Sequence, residues 1–304
     1  MEIGQVMGSM SRRGALCMTA AAGGLAMMVA ASPLSAASLL GDDLASFAVL
    51  GASTVTNVPT STIGGNVGVW EGTAITGFTS TPGVATADLQ VSGLVHADTA
   101  LAQSAQGQLT TAINGLGSLG SGTVLASVDL AGLVLTPGVY TVAAGTTNLS
   151  GTLTLDGGGN ANATWVFQFA STLITSPNST VNLIGAGAGA GMFWNVGSSA
   201  TIDTNTTFLG NIPARESISM NTTASILCGR ALAEGAAVTL QQNTISGTCE
   251  GDLAGTGGLS GGLSVASDGT VSFAQTAAIP LPASVWLLMG ALGGLGLLGR
   301  RRPA

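Results

Sequence analysis

Short runs in which apolar residues alternate with small polar ones recur from Phe47 to about Ile245. Examples are FAVLGASTVTN, LVLTPGVYTV, ATWVFQF, ATIDTNTTFLG and AVTLQQNTISG. Such runs are rich in β-branched residues, and turn residues follow them at intervals of about 8 to 12 residues, which predicts many short strands. A chain built this way folds as an all-β sandwich, barrel or solenoid.

Three features favour the solenoid over the other two folds. Glycine is unusually frequent, with 47 among 304 residues, and tight corners between coils require it. Small outward residues such as threonine and serine suit coils that stack about 4.8 Å apart. Cys228 and Cys249 are separated by about one repeat of such a fold. The sequence shows no strict repeat.

One segment follows a helical period instead. Apolar positions in the stretch that begins at His96 recur with helical spacing, at Ala102, Leu109, Ala112, Ile113 and Leu116. Asp98 or Thr99 is suited to cap the N-terminus, and Gly115 or Gly117 to end the helix. We therefore predict one amphipathic helix over about residues 97–115, packed against the β structure.

The N-terminus has the layout of an export signal over residues 1–37. Arg12 and Arg13 precede an apolar run from Ala15 to Ala31, and small residues follow up to Ala37, where we place cleavage. The arginine pair fits a twin-arginine signal, but Ala15 stands where that motif prefers a larger residue. Twin-arginine and Sec export both remain open.

The C-terminus contains an apolar span of 17 uncharged residues, Ala283 to Gly299. Its length is at the short limit for crossing a bilayer, and arginines follow it. A permanent membrane anchor is one interpretation. Residues 279–304 also resemble VPLPA and PEP-CTERM sorting tails, which implies release or re-attachment by an exosortase-type protease. The residues that carry this resemblance are Ile279, Pro280, Leu281, Pro282, Ala283, Arg300, Arg301 and Arg302. The residues before this tail, 250–278, are rich in glycine and serine, which predicts a flexible linker with a possible small hairpin at Asp268-Gly269.

Charge and cysteine content limit the kinds of partner and ligand that the chain can bind. Between the two ends only Arg215 and Arg230 oppose 13 acidic residues, a net charge of −11. Nucleic acid requires clustered positive charge and is excluded as a partner. Cys228 and Cys249 are an even pair in an exported domain, so we predict a disulfide. Two cysteines and the lone His96 match no zinc spacing, and we predict neither metal nor cofactor.

Catalytic motifs match only out of context. A G-x-S-x-G at Gly258 to Gly262 lies in the predicted linker, where it follows no strand and opens no helix. The acidic residues are scattered singly through turns, which is typical of solvated positions rather than of paired catalytic carboxylates. An enzyme is therefore not predicted.

Nine segments between about Leu40 and Ile245 form one ordered set of motifs: Phe47–Asn57, Ile63–Val69, Gly72–Phe78, His96–Asp98, Leu135–Tyr140, Leu149–Asp156, Trp165–Gln168, Phe193–Thr201 and Gly229–Ala233. Through these residues the chain resembles the DUF3494-type ice-binding proteins. The resemblance implies an irregular right-handed β-helix of triangular cross-section, over residues 38–249, with one long α-helix packed alongside. It also implies that one flat face binds ice and that Thr73-Ala74-Ile75-Thr76 fits a motif of that face.

Threonines suit such a face because their χ1 angles are restricted and hold hydroxyl and methyl groups at fixed positions. The outward candidates are Thr54, Thr56, Thr62, Thr73, Thr76, Thr152, Thr154, Thr201, Thr204 and Thr239. The sequence thus predicts an exported, surface-sorted protein whose partner is ice or ordered water. It would inhibit recrystallisation or attach cells to ice. The alternative is a structural or adhesive protein of the biofilm matrix with the same fold.

Overall fold

The computed structural model describes residues 37–274. The helices are α1 (Gly41–Ala45), α2 (Ala100–Ser118) and a 3-10 turn at Gly251–Leu253. The strands are β1 (Ala37–Ser38), β2 (Phe47–Gly51), β3 (Thr54–Val58), β4 (Thr62–Gly64), β5 (Asn66–Val69), β6 (Ala74–Thr76), β7 (Ala85–Thr86), β8 (Val95–Ala97), β9 (Thr123–Val124), β10 (Val134–Leu135), β11 (Gly138–Val142), β12 (Thr152–Asp156), β13 (Thr164–Phe169), β14 (Leu173–Ile174), β15 (Thr180–Ile184), β16 (Gly191–Val196), β17 (Ala200–Ile202), β18 (Thr207–Ala214), β19 (Ile218–Met220), β20 (Ser225–Ala233), β21 (Val238–Gln241), β22 (Thr244–Ser246), β23 (Leu263–Val265) and β24 (Val271–Phe273). The prediction of an all-β fold with one long helix is confirmed.

Successive coils of the chain stack as three parallel ladders of strands. The helix-side ladder runs, in spatial order, through β8, β5, β2, β20, β18, β16, β13, β11 and β9. The second ladder, which we call the threonine ladder, runs through β14, β17, β19, β21, β3 and β6. The third, the groove-side ladder, runs through β10, β12, β15, the first residues of β18 and β20, then β22 and β4.

The coils do not stack in sequence order. Strands β2, β3 and β4 pair with β20, β21 and β22, so the N-terminal block (residues 47–97) stacks on the last coil of the C-terminal block (residues 123–246). Helix α2 then connects β8, at one end of the helix-side ladder, to β9 at the other. Its 19 residues span about 28 Å, which carries the chain along much of the stack.

Helix α2 begins and ends three residues later than predicted. Asp98 has a φ of 55°, which is incompatible with a right-handed helix, and the hydroxyl of Thr99 caps the first turn by accepting a hydrogen bond from the amide of Ala102. Gly115 stays inside the helix, where an added Cβ would lie 2.6 Å from Val271. Glycine is thus used here for close packing, and the five predicted apolar positions are buried.

Two hydrophobic clusters lie on opposite sides of the helix-side ladder. Inside the coils, aromatic rings stack between neighbouring strands, with 4.2 Å between the ring centroids of Phe167 and Trp194. On the other side, Val166 and Phe193 pack against the apolar stripe of α2. These strands are buried on both faces, which explains their nearly continuous apolar runs.

The segment after Cys249 differs from the flexible linker that we expected. Leu259, Leu263 and Val271 are buried, and β23 and β24 form a hairpin around Asp268-Gly269 that also pairs with β1. Glycine-rich composition predicted flexibility, but backbone carbonyls of this segment accept hydrogen bonds from two buried side chains, Asn211 and Arg230. The predicted export signal and the sorting tail with its apolar span lie outside the described residues. Within residues 37–274 no helix combines the length and the apolar character needed to cross a bilayer.

Candidate functional site

A continuous row of outward side chains, small in five of the six strands, crosses the threonine ladder. Register pairs link each residue of the row to the next, from one end of the ladder to the other. The row consists of Ile174, Thr201, Ser219, Thr239, Thr56 and Thr76. Each side chain is half-buried or exposed, whereas its neighbours within the strand are buried in the core of the coils. With about 4.8 Å between strands, the row extends about 24 Å.

The residues beside this row are also small or neutral. On one side Thr54 pairs with Ala74, and the hydroxyl of Ser217 donates a 3.0 Å hydrogen bond to that of Ser199. On the other side the amide of Asn221 donates to the carboxylate of Asp203. That bond, together with one from the backbone of Thr204, lowers the pKa of Asp203 below its usual value. The ladder therefore presents rows of hydroxyl and methyl groups, with its charge confined to the margin.

The hydroxyl groups of the central row are free to bind water. Among residues 37–274, the hydroxyls of Thr56, Thr76, Thr201, Ser219 and Thr239 form no hydrogen bond with another protein group. Hydroxyls at the corner of the coils differ in this respect: those of Thr222 and Thr223 bond to Gln241 and Asn205. Each threonine of the row has a restricted χ1, so its hydroxyl and methyl are held at a fixed position. The row can therefore order the water that contacts it.

The structure brings five of the ten predicted threonines together on this ladder. They are Thr54, Thr56, Thr76, Thr201 and Thr239. Thr73 immediately precedes β6, and Thr204 lies in the turn that follows β17, so both flank the ladder. Thr62, Thr152 and Thr154 lie instead on the groove-side ladder. Ser219 was not among the predicted positions, although it follows the same alternation between Ile218 and Met220 and completes the row.

The groove-side ladder carries a second row, which pairing also makes continuous. It consists of Thr152, Thr180, Thr207, Ser225, Thr244 and Thr62. Beside it lie large apolar side chains, including Leu227 and Val134, which are 47% and 66% exposed. A groove of about 410 Å³ opens between Leu209, Leu227 and the segment around Leu253. This surface is therefore less even than the threonine ladder.

The predicted disulfide between Cys228 and Cys249 is confirmed, with 4.8 Å between the two Cα atoms. Because β20 pairs with β22, the bridge joins adjacent coils, as expected from the 21-residue separation. It borders the groove, so it lies on the groove-side ladder rather than on the threonine ladder.

The two arginines of the domain have structural partners. The guanidinium of Arg230 is buried, and it donates to Asn211 and to the carbonyls of Ala45, Gly247, Gly257 and Gly258. Burial lowers the pKa of Arg230 to about 10, so the side chain stays charged at neutral pH. Arg215 pairs at the surface with Glu234, 3.3 Å away.

Within the described part of the chain, no three potential metal-binding side chains cluster together.

His96 lies on the helix side, at the N-terminus of α2. Its ring is buried, packs edge-on against Phe47 and contacts the hydroxyl of the cap residue Thr99 through Nδ1. Burial lowers the pKa of His96, so the ring is neutral at neutral pH. These contacts are those of a structural residue.

Comparison with known proteins agrees with this architecture. The family model described as "Ice-binding-like" matches residues 49–246. An ice-binding protein from Nostoc sp. (strain HG1) is 43% identical over 203 residues, which cover 67% of this chain and 72% of that protein. One from Flammulina populicola is 32% identical, over 66% of this chain and 84% of its own length. Among solved structures, the ice-binding protein from Antarctomyces psychrotrophicus superposes with a TM-score of 0.61 at 33% identity, covering 69% of this chain and 98% of that one. The chain therefore belongs to the ice-binding-like family.

Proposed function

We propose that this protein adsorbs to ice through the threonine ladder. The observation that carries the proposal is the unbroken register of threonine and serine across five neighbouring strands. Their hydroxyls hold water molecules by hydrogen bonds, and the threonine methyl groups pack between those waters. Because the side chains are already fixed, little conformational entropy is lost when the ordered layer joins a crystal. Adsorption of this kind is a binding activity and needs no catalytic group.

The membership of the family supports the same assignment, because several relatives carry the name ice-binding protein. As part of the proposal, the coils wind right-handed with a triangular cross-section, so that the threonine ladder forms one flat side. The biological effect is inhibition of ice recrystallisation or attachment of cells to ice. Residues 1–37 direct export, and residues 279–304 are a sorting tail for an exosortase-type protease, which leaves the domain outside the cell or at its surface.

The test is growth-habit microscopy on purified residues 38–278. The wild-type domain is expected to facet growing ice crystals and to produce thermal hysteresis. Replacing Thr73 and Thr76 together with lysine places two long charged side chains at the ladder and is expected to abolish faceting. Wild-type protein that leaves ice growing as round discs would contradict the proposal. Binding to matrix polysaccharide in that case would indicate the adhesive alternative.

A further inference from the structure

The threonine ladder crosses a junction between two parts of the chain that are far apart in sequence. Thr56 and Thr76 belong to the N-terminal block, and Thr201, Ser219 and Thr239 to the C-terminal block. The two blocks meet where β3 pairs with β21, which places Thr56 beside Thr239. We call this junction the seam. No covalent connection fixes its register locally, because the paired residues are 183 positions apart.

A buried hydrogen-bond network crosses the seam directly behind the ladder. At its centre, the hydroxyl of Ser61 accepts from the backbone amide of Asn243 at 3.0 Å and donates to the side-chain oxygen of Asn57 at 2.6 Å. All three residues are buried, with exposed fractions of 2%, 1% and 4% for Ser61, Asn243 and Asn57. The Ser61 hydroxyl therefore links the two blocks and uses both its donor and its acceptor capacity.

The network extends into the next coil on each side. In the C-terminal block, the side-chain amide of Asn243 donates to the carbonyls of Asn221 and Ala224. In the N-terminal block, the side-chain amide of Asn57 donates to Gln90, which also accepts from the backbone of Ser61. Four successive coils are thus tied together at one corner, with the seam in the middle.

Hydrogen bonds of this kind define register more sharply than apolar packing does. Backbone pairing holds the seam together, and the buried side-chain bonds add to it. Packed valine and leucine tolerate small displacements, whereas a buried amide that loses its partner costs free energy. A slip at the seam would displace Thr56 from Thr239 and divide the central row into two unrelated halves. The displaced row would no longer match a single ice lattice, but the stability of either block would change little.

We infer that Ser61, with Asn243 and Asn57, is a positioning residue for ice binding: it aligns the two halves of the threonine ladder. This inference rests on the function proposed above and adds to it the residues on which the continuity of the surface depends.

The test compares two buried serines at the same corner of the coils. The register places Ser179, Thr206, Ala224, Asn243 and Ser61 in one inward row. Ser179 is fully buried and donates to the carbonyls of Leu149 and Ser176, at the end of the ladder away from the seam. Ser61→Ala and Ser179→Ala each remove one buried hydroxyl, and Ser61→Thr keeps it. Thr206 shows that the inward row accommodates threonine.

Full-length variants are compared by thermal hysteresis at equal molar concentration, and by melting temperature as the measure of folding. We expect Ser61→Ala to lose about threefold or more of the hysteresis while still fully folded near 0 °C, because the two halves of the row no longer align. Ser179→Ala is expected to lower the melting temperature comparably and to keep the hysteresis. Ser61→Thr is expected to restore it. If Ser61→Ala does not fold, Gln90→Ala loosens the same network from a half-buried position, with the same expected loss.

Equal hysteresis in Ser61→Ala and wild type, or losses that follow the melting temperatures of both serine variants alike, would overturn the inference alone. A wild-type protein without any hysteresis would overturn the proposed function as well. The wild-type measurement therefore separates the two failures.

Discussion

The threonine ladder and the groove-side ladder both carry a row of threonine and serine, yet they are different surfaces. In the threonine ladder every strand pair is in continuous register, and the row on one side of it consists of small side chains. In the groove-side ladder, β18 and β20 contribute only their first residues before bending away at Gly210 and Gly229, where the register shifts. Glycine is required at these bends because both residues have positive φ angles, and a Cβ on Gly229 would lie 1.9 Å from the carbonyl oxygen of Gly210.

This difference shows that a threonine row does not by itself define an ice-binding surface. Water ordered by one row must continue over the neighbouring rows, and on the groove-side ladder those rows contain Leu227 and Val134 beside an open groove. On the threonine ladder one neighbouring row contains serine, alanine and threonine, and the other contains polar side chains with one exposed valine, Val58. The surroundings of the row therefore distinguish the two ladders.

The largest expected effect comes from comparing a lysine on the threonine ladder with a lysine on the groove-side ladder. Thr56 and Thr62 are both exposed, and they lie on consecutive strands of the same coil, one on each ladder. Thr56→Lys is expected to weaken ice adsorption by about tenfold or more, since it puts a long charged chain into the row, between Thr239 and Thr76. Thr62→Lys is expected to leave adsorption close to wild type. Partition of the protein into a growing ice front measures both variants.

Both substitutions are at exposed positions and should change the free energy of unfolding by no more than about 0.5 kcal/mol. Equal losses in the two variants would show that both ladders contact ice. A loss in Thr62→Lys alone would move the site to the groove-side ladder.

Removing the disulfide should affect the two ladders unequally. The bridge closes a 21-residue separation, so replacing Cys228 and Cys249 with serine is expected to cost about 3 kcal/mol of unfolding free energy. Because the bridge borders the groove, the threonine ladder should keep its register in molecules that remain folded. Chemical denaturation is expected to show the loss, while thermal hysteresis near 0 °C stays at the wild-type level. Reduced hysteresis in fully folded variant protein would show that the two ladders are coupled.

Mild acid should lower the stability of the protein through His96, on the helix side, before it acts on the aspartates. Burial lowers the pKa of His96, so below pH 6.5 the unfolded chain binds a proton that the folded ring does not, and stability falls by up to about 1.4 kcal/mol per pH unit. Hydrogen bonds from Asn221 and Thr204 lower the pKa of Asp203, on the threonine ladder. Partial burial raises the pKa of Asp129, but hydrogen bonds from Ser150 and Ala131 outweigh burial, so this pKa is also below its usual value. Their contributions persist above pH 3.8 and are lost as the pH falls below it.

Unfolding curves between pH 7 and pH 4.5 measure the histidine contribution, and His96→Gln is expected to flatten them over this range. Ice adsorption by the molecules that stay folded should not change across it. A wild-type stability that is constant down to pH 4.5 would contradict the assignment to His96.

Alternation along the chain predicted which threonines point outward but not which ladder they join. Thr56 and Thr62 follow the same period-two pattern, and only the number of residues at the corner between them determines the ladder of each. The stacking of the N-terminal block on the last coil could not be predicted either, because it depends on pairs such as Thr56 and Thr239 that are far apart in sequence. The helix was predicted from its period, whereas its limits depended on local geometry at Asp98 and on packing at Gly115.

The residues after Cys249 show a second limit of sequence patterns. Glycine-rich composition is typical of flexible linkers, but here the glycine backbone accepts hydrogen bonds from buried Arg230 and Asn211. Carbonyl groups are present in every sequence, so composition contains no sign of this use.

The smallest expected effect concerns the corner that separates the two ladders. Four residues at this corner, in successive coils, have left-handed backbones: Asn178, Asn205, Thr223 and Gln242, with φ angles of 62°, 57°, 60° and 56°. Asparagine tolerates this conformation, but glutamine in it costs about 1 kcal/mol or more. Gln242→Gly removes that cost and adds chain entropy to the unfolded state, so the net gain in stability is expected to be about 0.5 kcal/mol.

Asn205→Gly is the matched change at the same corner, and it should give no gain, because asparagine is already suited there and its side chain bonds to Thr223 and Asn178. Urea denaturation of both variants measures the difference. Since the backbone of the corner stays the same, ice adsorption should also stay the same in Gln242→Gly. A more stable variant with altered adsorption would mean that the corner adjusts the angle between the two ladders, and that the evenness of the threonine ladder depends on it.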